Sequence, residues 1–269
     1  MDLICDERES DSPFVERIWR GQGIKAGDFI SMAEIEYGMV VTRLRGKTSI
    51  TLRGPATRAT PAFCPPDAEF VGIQFKPGVF MRELPANMVV ERQDITLPES
   101  SSTTFWLDGS TWEYPDYENA DTFVDLLFQE GLLVDDPLVG AVINRQPVEL
   151  SLRTVQRRFL RATGLPVNTI HQINRALFAT QLLKAGKSIL DTVFEAGYFD
   201  QPHLTRALKR FVGLTPAQIT KPDRSERLSF LYKRNPSWLG YNINVLRMTD
   251  DFRFLYASPE RDARKPTER

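Results

Sequence analysis

The chain has 269 residues, with 34 Lys and Arg against 35 Asp and Glu and a formal net charge of −1. Its 42% hydrophobic and 26% charged residues are ordinary for a globular protein and exclude a disordered or collagen-like chain. No apolar run approaches the roughly 18 residues of a membrane span, and the acidic start lacks a signal-peptide core. Cys5 and Cys64 are too few for a disulfide framework. We therefore expect a cytoplasmic protein of one or two domains with no membrane partner.

The first part of the chain has the pattern of β-strands. Between residues 27 and 97 apolar and polar residues alternate, for example in 39–44 and 70–75, and glycines and prolines separate the runs. After Asn119 the apolar spacing becomes helical. These patterns predict an α+β protein with two segregated domains, in which an N-terminal antiparallel β-barrel or sandwich precedes an all-α domain.

The charge is distributed unevenly along these two parts. Residues 1–137 carry 12 Lys and Arg against 24 Asp and Glu, a net −12. Residues 138–224 carry 13 against 5, a net +8, and residues 225–269 carry 9 against 6, a net +3. A compact basic block beside an acidic one favours a polyanion-binding module within residues 138–224.

Two segments of the basic block repeat one pattern at a distance of 49 residues. Ser151 aligns with Asp200, and both are good residues for capping the N-terminus of a helix. The following residues place apolar side chains four apart on one face and arginine on the other. The repeats end near Gly164 and Gly213, which suit left-handed C-caps. The pattern predicts two short amphipathic helices.

Each of these helices follows another helix candidate. Asp136 can cap a helix that runs to about Asn144, and a helix from Ser188 ends at a turn around Gly197. Helix, turn and basic helix is the order of a helix-turn-helix unit, whose second helix can lie in a DNA major groove. The segment 168–184 predicts a linker helix of roughly 25 Å, which could set two recognition helices about one DNA turn apart.

Several motifs in this region resemble the DNA-binding domain of AraC/XylS-type transcriptional regulators. They are carried by residues 151–159, Arg175 to Leu183, Ser188 to Val193, 196–200, 203–211 and 213–216. The resemblance implies two helix-turn-helix units beside a sensor or oligomerisation domain, which in many members is a cupin-like β-barrel. It also implies activation as the commoner mode. The chain departs from the family pattern at Pro147, before the first recognition helix, and at Pro202, within the second.

The position of each residue in the motif assigns it a role at DNA. The base-reading candidates face outward on the two recognition helices, since arginine suits guanine and glutamine suits adenine: Arg153, Gln156, Arg157, Gln201, His203, Thr205 and Arg206. The phosphate candidates lie nearer the helix ends: Arg161, Lys209 and Arg210. The capping residues are Ser151 and Asp200, and we expect Arg175 to stabilise the linker helix or brace the two halves rather than read bases.

We expect three segments. Residues 1–119 form a β-rich sensor or oligomerisation domain, and residues 120–224 form the helical DNA-binding domain, with its core at 136–220. Residues 225–269 form an extension, in which 228–232 and 252–256 are apolar enough to pack on a neighbour and the charged end is mobile.

An enzymatic function has little support in the sequence. A metal-dependent cupin enzyme, the remote alternative, needs clustered histidines, but residues 1–170 contain none. We expect no metal, no cofactor and no catalytic residues. The partners are double-stranded promoter DNA, a candidate small-molecule effector, RNA polymerase if the protein is an activator, and a second copy if it dimerises.

The function of the β-domain has two open interpretations. It either binds a small molecule or serves as a protein–protein interaction module without a ligand. Aromatic residues that could line a pocket are more often core residues in such a domain: Phe63, Phe70, Phe75, Trp106 and Trp112. No ligand-binding residue follows from the sequence.

Overall fold

The computed structural model describes residues 2–91, 95–144 and 146–221. The expected extension 225–269 and its two apolar segments lie outside these residues. Within the described ranges, no helix is both long and apolar enough to cross a membrane.

The N-terminal half, residues 2–135, consists mainly of antiparallel strands. Its elements in chain order are β1 (Asp2–Arg8), β2 (Val15–Lys25), β3 (Gly27–Ser31), β4 (Gly38–Leu44), β5 (Lys47–Arg53), β6 (Thr60–Cys64), β7 (Glu69–Phe75), β8 (Val79–Met81), α1 (Ala86–Val89), β9 (Ile95–Thr96), β10 (Thr104–Leu107), β11 (Ser110–Glu113), α2 (Ala120–Gln129) and β12 (Leu133–Asp135).

The main sheet has six strands in the order β1-β2-β7-β4-β5-β9, and each neighbouring pair is antiparallel. Between β4 and β5, Arg45 and Gly46 have φ values of 52° and 76°, as a two-residue type I′ hairpin requires. Alternate residues of the paired strands, such as Val41 and Ile50, lie opposite each other and are buried. Three further strand pairs, β3–β6, β8–β12 and β10–β11, form two-stranded sheets.

Residues 120–135 pack on the strands that precede them. Asp121 of α2 forms an ion pair with Arg8 of β1 at 2.7 Å, and Asp125 accepts a hydrogen bond from Ser12 Oγ at 2.7 Å. β12 extends β8. The boundary after Asn119 stays a prediction, although these contacts favour a boundary near residue 135.

The helical module, residues 136–221, contains α3 (Pro137–Ile143), α4 (Leu152–Thr163), α5 (Val167–Lys184), α6 (Ile189–Glu195), α7 (Gln201–Phe211) and α8 (Pro216–Ile219). α3 packs against α4, and the long α5 packs against α6, α7 and α8. The buried side chains of both halves form one continuous apolar cluster. The two halves therefore share a core rather than meeting only at a surface.

The predicted fold class is confirmed, because a region of antiparallel strands precedes a region of helices. Among the described residues the main sheet is open and does not close into a barrel, so the sandwich alternative describes it better. The strand pattern was recognised only from residue 27 onward, and it therefore missed β1 and β2, which form one side of the main sheet.

Candidate nucleic-acid interface

The first recognition helix, α4, begins and ends where its local sequence dictates. Ser151 Oγ accepts a hydrogen bond from the Thr154 N–H at 3.3 Å, which satisfies one of the free donors of the first turn. Gly164 ends the helix with φ of 73°, and its N–H donates to Leu160 O at 2.8 Å.

The second recognition helix, α7, has the same construction. Asp200 Oδ1 accepts a hydrogen bond from the His203 N–H at 2.6 Å. Pro202 lies in the first turn, where its missing N–H costs no intrahelical bond. Gly213, with φ of 84°, follows the helix, and its N–H donates to Leu208 O at 2.9 Å. The two repeats therefore have caps at equivalent positions.

Each recognition helix buries one face and exposes the other. Val155 and Phe159 of α4 are buried, as are Leu204 and Leu208 at the equivalent positions of α7. Most of the expected DNA contacts lie on the exposed faces: Arg153, Gln156, Arg157, Arg161, Gln201, Arg206, Lys209 and Arg210. Two others, His203 and Thr205, are half-buried.

His203 belongs to a stack that joins three elements of the second helix-turn-helix unit. Its ring lies edge-on to Tyr198, with centroids 5.1 Å apart, and the Arg175 guanidinium of α5 lies 4.4 Å from the Tyr198 centroid. Burial lowers the pKa of His203, and Arg175 and Arg206 lower it further, so that the imidazole is neutral at pH 7. These contacts suit a residue that orients α7. Arg175 thus contacts the turn before α7 through Tyr198, and its expected stabilising role stays a prediction.

The phosphate candidate Arg161 also contacts the N-terminal half. Its guanidinium lies 5.7 Å from the ring centroid of Phe80 in β8, although the side chain is exposed. Arg210 lies 5.1 Å from the ring of its neighbour Phe211.

Sequence reasoning did not assign a role to Arg158, which lies beside Arg157 on α4. Its Nε and Nη2 donate to Asp136 Oδ2 and Oδ1 at 3.0 and 2.5 Å. Asp136 also caps α3 through Leu138 N–H at 3.1 Å. This carboxylate therefore connects both helices of the first unit. Neither the spacing of 22 residues nor the charge pattern identifies the pair.

The linker helix separates the two units. α5 has 18 residues, which corresponds to about 27 Å at 1.5 Å per residue. Each recognition helix lies near a different end of it in sequence, since α4 precedes α5 and α7 follows it after α6. This arrangement is compatible with two grooves on one DNA face.

Sequence analysis also missed an exposed apolar surface beside α7. Leu190 and Phe194 on α6 and Phe199 in the following turn are 72%, 75% and 90% exposed. The signal was available, because residues 190 and 194 are four apart and so share one helical face.

In the N-terminal half, the five aromatic residues considered as a pocket lining differ in their exposure. Phe75 is buried in the core, and Phe70 and Trp112 are half-buried. Phe63 and Trp106 are 60% and 45% exposed. The members of this set therefore lie in different environments, and the pocket interpretation stays a prediction.

A small cleft in the main sheet has a lining of both polar and apolar side chains. Glu36 lies 3.7 Å from Arg17 Nη2 and accepts a hydrogen bond from Gln74. Burial raises the pKa of Glu36 to about 7, and Arg17 only partly opposes the effect. The cleft is also lined by Trp19, Glu34 and Arg53. Among the described residues, no group of three or more His, Cys, Asp or Glu side chains could hold a metal ion.

Residues 146–221 match the family model of a helix-turn-helix domain. The matched region begins just before α4 and extends past α8. The match supports a DNA-binding domain like that of AraC-type proteins, and it indicates a transcriptional regulator rather than an enzyme. No curated protein and no solved structure matches the chain.

Proposed function

We propose that the chain is an AraC/XylS-type transcriptional regulator that reads two successive major grooves of promoter DNA with α4 and α7. One observation supports this most strongly: the same capped, amphipathic second helix occurs before and after α5. In both copies the apolar face is buried and the arginine-bearing face is exposed.

The exposed side chains divide into two groups by their chemistry. Arg153, Gln156 and Arg157 on α4 read base edges, because arginine and glutamine form paired hydrogen bonds with guanine and adenine. Gln201, Thr205 and Arg206 do the same on α7. Three residues nearer the helix ends hold the backbone phosphates: Arg161, Lys209 and Arg210. His203 acts mainly by orienting α7 through Tyr198.

The N-terminal half modulates this binding, and a small-molecule effector is our first interpretation. The alternative is a protein–protein module that acts without a ligand, for example in a homodimer. A thermal-shift screen of the full chain against small metabolites separates them, because a ligand that binds the folded state raises the melting temperature. Self-association with no shift from any compound would favour the alternative. If the regulator is an activator, its protein partner is RNA polymerase. The regulator acts in the cytoplasm.

The function can be tested by selecting duplexes from a random DNA library with the full-length protein. We expect one preferred sequence, and we expect Arg206→Ala to weaken binding to it by about 1–3 kcal/mol, or roughly 5- to 150-fold, with relaxed specificity at one base pair. Lys47→Ala is the control, because Lys47 is an equally exposed cation in the acidic half. Failure of the wild type to prefer any sequence over a scrambled duplex would show that the proposed function is wrong.

A further inference from the structure

The N-terminal half contacts the C-terminal end of α7 through backbone hydrogen bonds. The Ala33 N–H donates to Phe211 O at 2.7 Å, and the Ala59 N–H donates to Arg210 O at 2.8 Å. The last carbonyls of a helix have no partner within it and must find one elsewhere. Here that partner is the loop after β3 and the residue before β6. Main-chain bonds of this kind depend on position and not on side-chain identity.

Close packing reinforces these bonds just beyond the helix. A β-carbon at position 213 would lie 2.8 Å from Ile30 Cγ2 and 3.1 Å from Ala59 Cβ. Both distances are shorter than normal van der Waals contact. Only glycine therefore fits at this position without a shift of Ile30 and Ala59. The close contact between the N-terminal half and the end of α7 therefore requires glycine at position 213.

The C-terminal end of α4 packs closely against a different element of the N-terminal half, α1. A β-carbon at Gly164 would lie 2.7 Å from Val90 Cγ2 and 2.8 Å from Ala86 O, both in or next to α1. Gly164 and Gly213 are the equivalent residues of the two repeats. We name these two sets the helix-end contacts: Ala86 and Val90 at Gly164, and Ile30, Ala33 and Ala59 at the end of α7.

We propose that the helix-end contacts fix the separation and relative angle of α4 and α7, so that the protein selects DNA by the spacing between its two half-sites. The inference rests on the proposed function. Within the helical module, α5 and the short connections beside it relate the two recognition helices. The helix-end contacts add a second connection, because the N-terminal half contacts the C-terminal end of both helices and so restricts their relative movement. A conformational change in the N-terminal half then alters the half-site spacing that the protein selects.

The chain offers matched glycines with which to test this proposal. Gly164→Ala and Gly213→Ala each introduce a β-carbon into a helix-end contact. Gly186 has nearly the same φ, 85° against 73° and 84°, but a β-carbon there would have no neighbour within 4 Å. Gly186→Ala therefore carries the same left-handed backbone strain, about 1–2 kcal/mol, without the clash.

The first measurement is hydrogen exchange of the full-length protein. We expect the amides of Ala33 and Ala59 to exchange faster in Gly213→Ala than in Gly186→Ala, because they lose their acceptors on α7. Ile30→Ala is a milder second variant, which loosens the same contact with no backbone strain if Gly213→Ala folds poorly. Circular dichroism must show the same helix content in variant and control.

The second measurement is binding to the selected duplex with one or two base pairs inserted between its half-sites. One base pair shifts a half-site by about 3.4 Å and rotates it by roughly a tenth of a turn. We expect the insertion to weaken wild-type and control binding by about tenfold or more, and Gly164→Ala, Gly213→Ala and Ile30→Ala binding by less than about threefold.

Two results would overturn the inference in distinguishable ways. If all variants keep the wild-type response to the inserted base pairs, the helix-end contacts do not set the spacing, and the proposed function stands. If the wild type selects no DNA sequence at all, the proposed function itself is wrong and the spacing inference is overturned with it.

Discussion

Arg157 and Arg158 are adjacent in α4, yet their surroundings predict opposite effects of substitution by alanine. Arg157 is exposed and is the repeat equivalent of Arg206, which is also exposed. Arg158 is bound to Asp136, and its repeat equivalent is the half-buried Ala207. We expect Arg157→Ala to weaken DNA binding with little change in stability. Arg158→Ala should lower stability and leave the affinity of the folded protein nearly unchanged.

The size of the stability effect follows from the geometry of the pair. Arg158→Ala removes two charge-assisted hydrogen bonds, and the side chains of Arg158 and Asp136 are 40% and 14% exposed. Hydrogen bonds to charged groups contribute about 1.5–3 kcal/mol, whereas exposed ion pairs contribute about 0–1 kcal/mol. Because the arginine is partly solvated, we expect a loss of about 1–2 kcal/mol in the free energy of unfolding. Asp136 keeps its bond to Leu138 N–H in the variant, so α3 remains capped.

Urea unfolding followed by circular dichroism measures the stability of both variants. Fluorescence anisotropy with the selected duplex, repeated over a range of salt concentrations, measures their affinity. Arg157→Ala should cost about 1–3 kcal/mol of binding if it reads a base, or reduce the slope of log K against log salt by about 1 if it binds phosphate. Equal losses of affinity for the two variants, at the same folded fraction, would refute the distinction between the two arginines.

Two further predictions concern a helix cap and a buried carboxyl group. Asp200→Ala should lower the free energy of unfolding by about 1 kcal/mol and speed hydrogen exchange of the His203 amide. Asp200→Asn keeps the hydrogen-bond acceptor and should change little. Equal effects of the two substitutions would contradict the capping role. In the folded state the pKa of Glu36 is raised to about 7. The contribution of this group to the free energy of unfolding is therefore fully present below about pH 4.5, and it is lost as the pH rises through 7 and the carboxyl group ionises. The stability of Glu36→Gln, measured by urea unfolding, should therefore rise relative to that of the wild type between pH 5 and pH 8, by at most about 3 kcal/mol. If the stabilities of the two proteins instead run parallel with pH, this carboxyl group titrates normally.

The sequence by itself determined the boundaries and faces of the recognition helices. A capping side chain bonds to an N–H two or three residues away, and a left-handed C-cap needs glycine at one position. Ser151, Gly164, Asp200 and Gly213 therefore reveal their structural roles to local inspection. The same holds for the alternation in β4, β5 and β7, because side-chain direction has a period of two along a strand. The uneven charge likewise located the basic module, which the chain average of −1 concealed.

Only the tertiary structure decided which distant residues meet. The place of β2 in the sheet depends on pairing with β7, about 50 residues further along the chain, and β1 joins the sheet only through β2. The half-buried position of His203 depends on Tyr198 and Arg175, and the role of Arg158 depends on Asp136. The helix-end contacts involve carbonyl groups of α7, a glycine at each helix end and residues of α1 and two loops, and no local sequence pattern reveals which of these meet. Local hydrogen bonding thus defines each recognition helix, whereas long-range packing defines where one lies relative to the other.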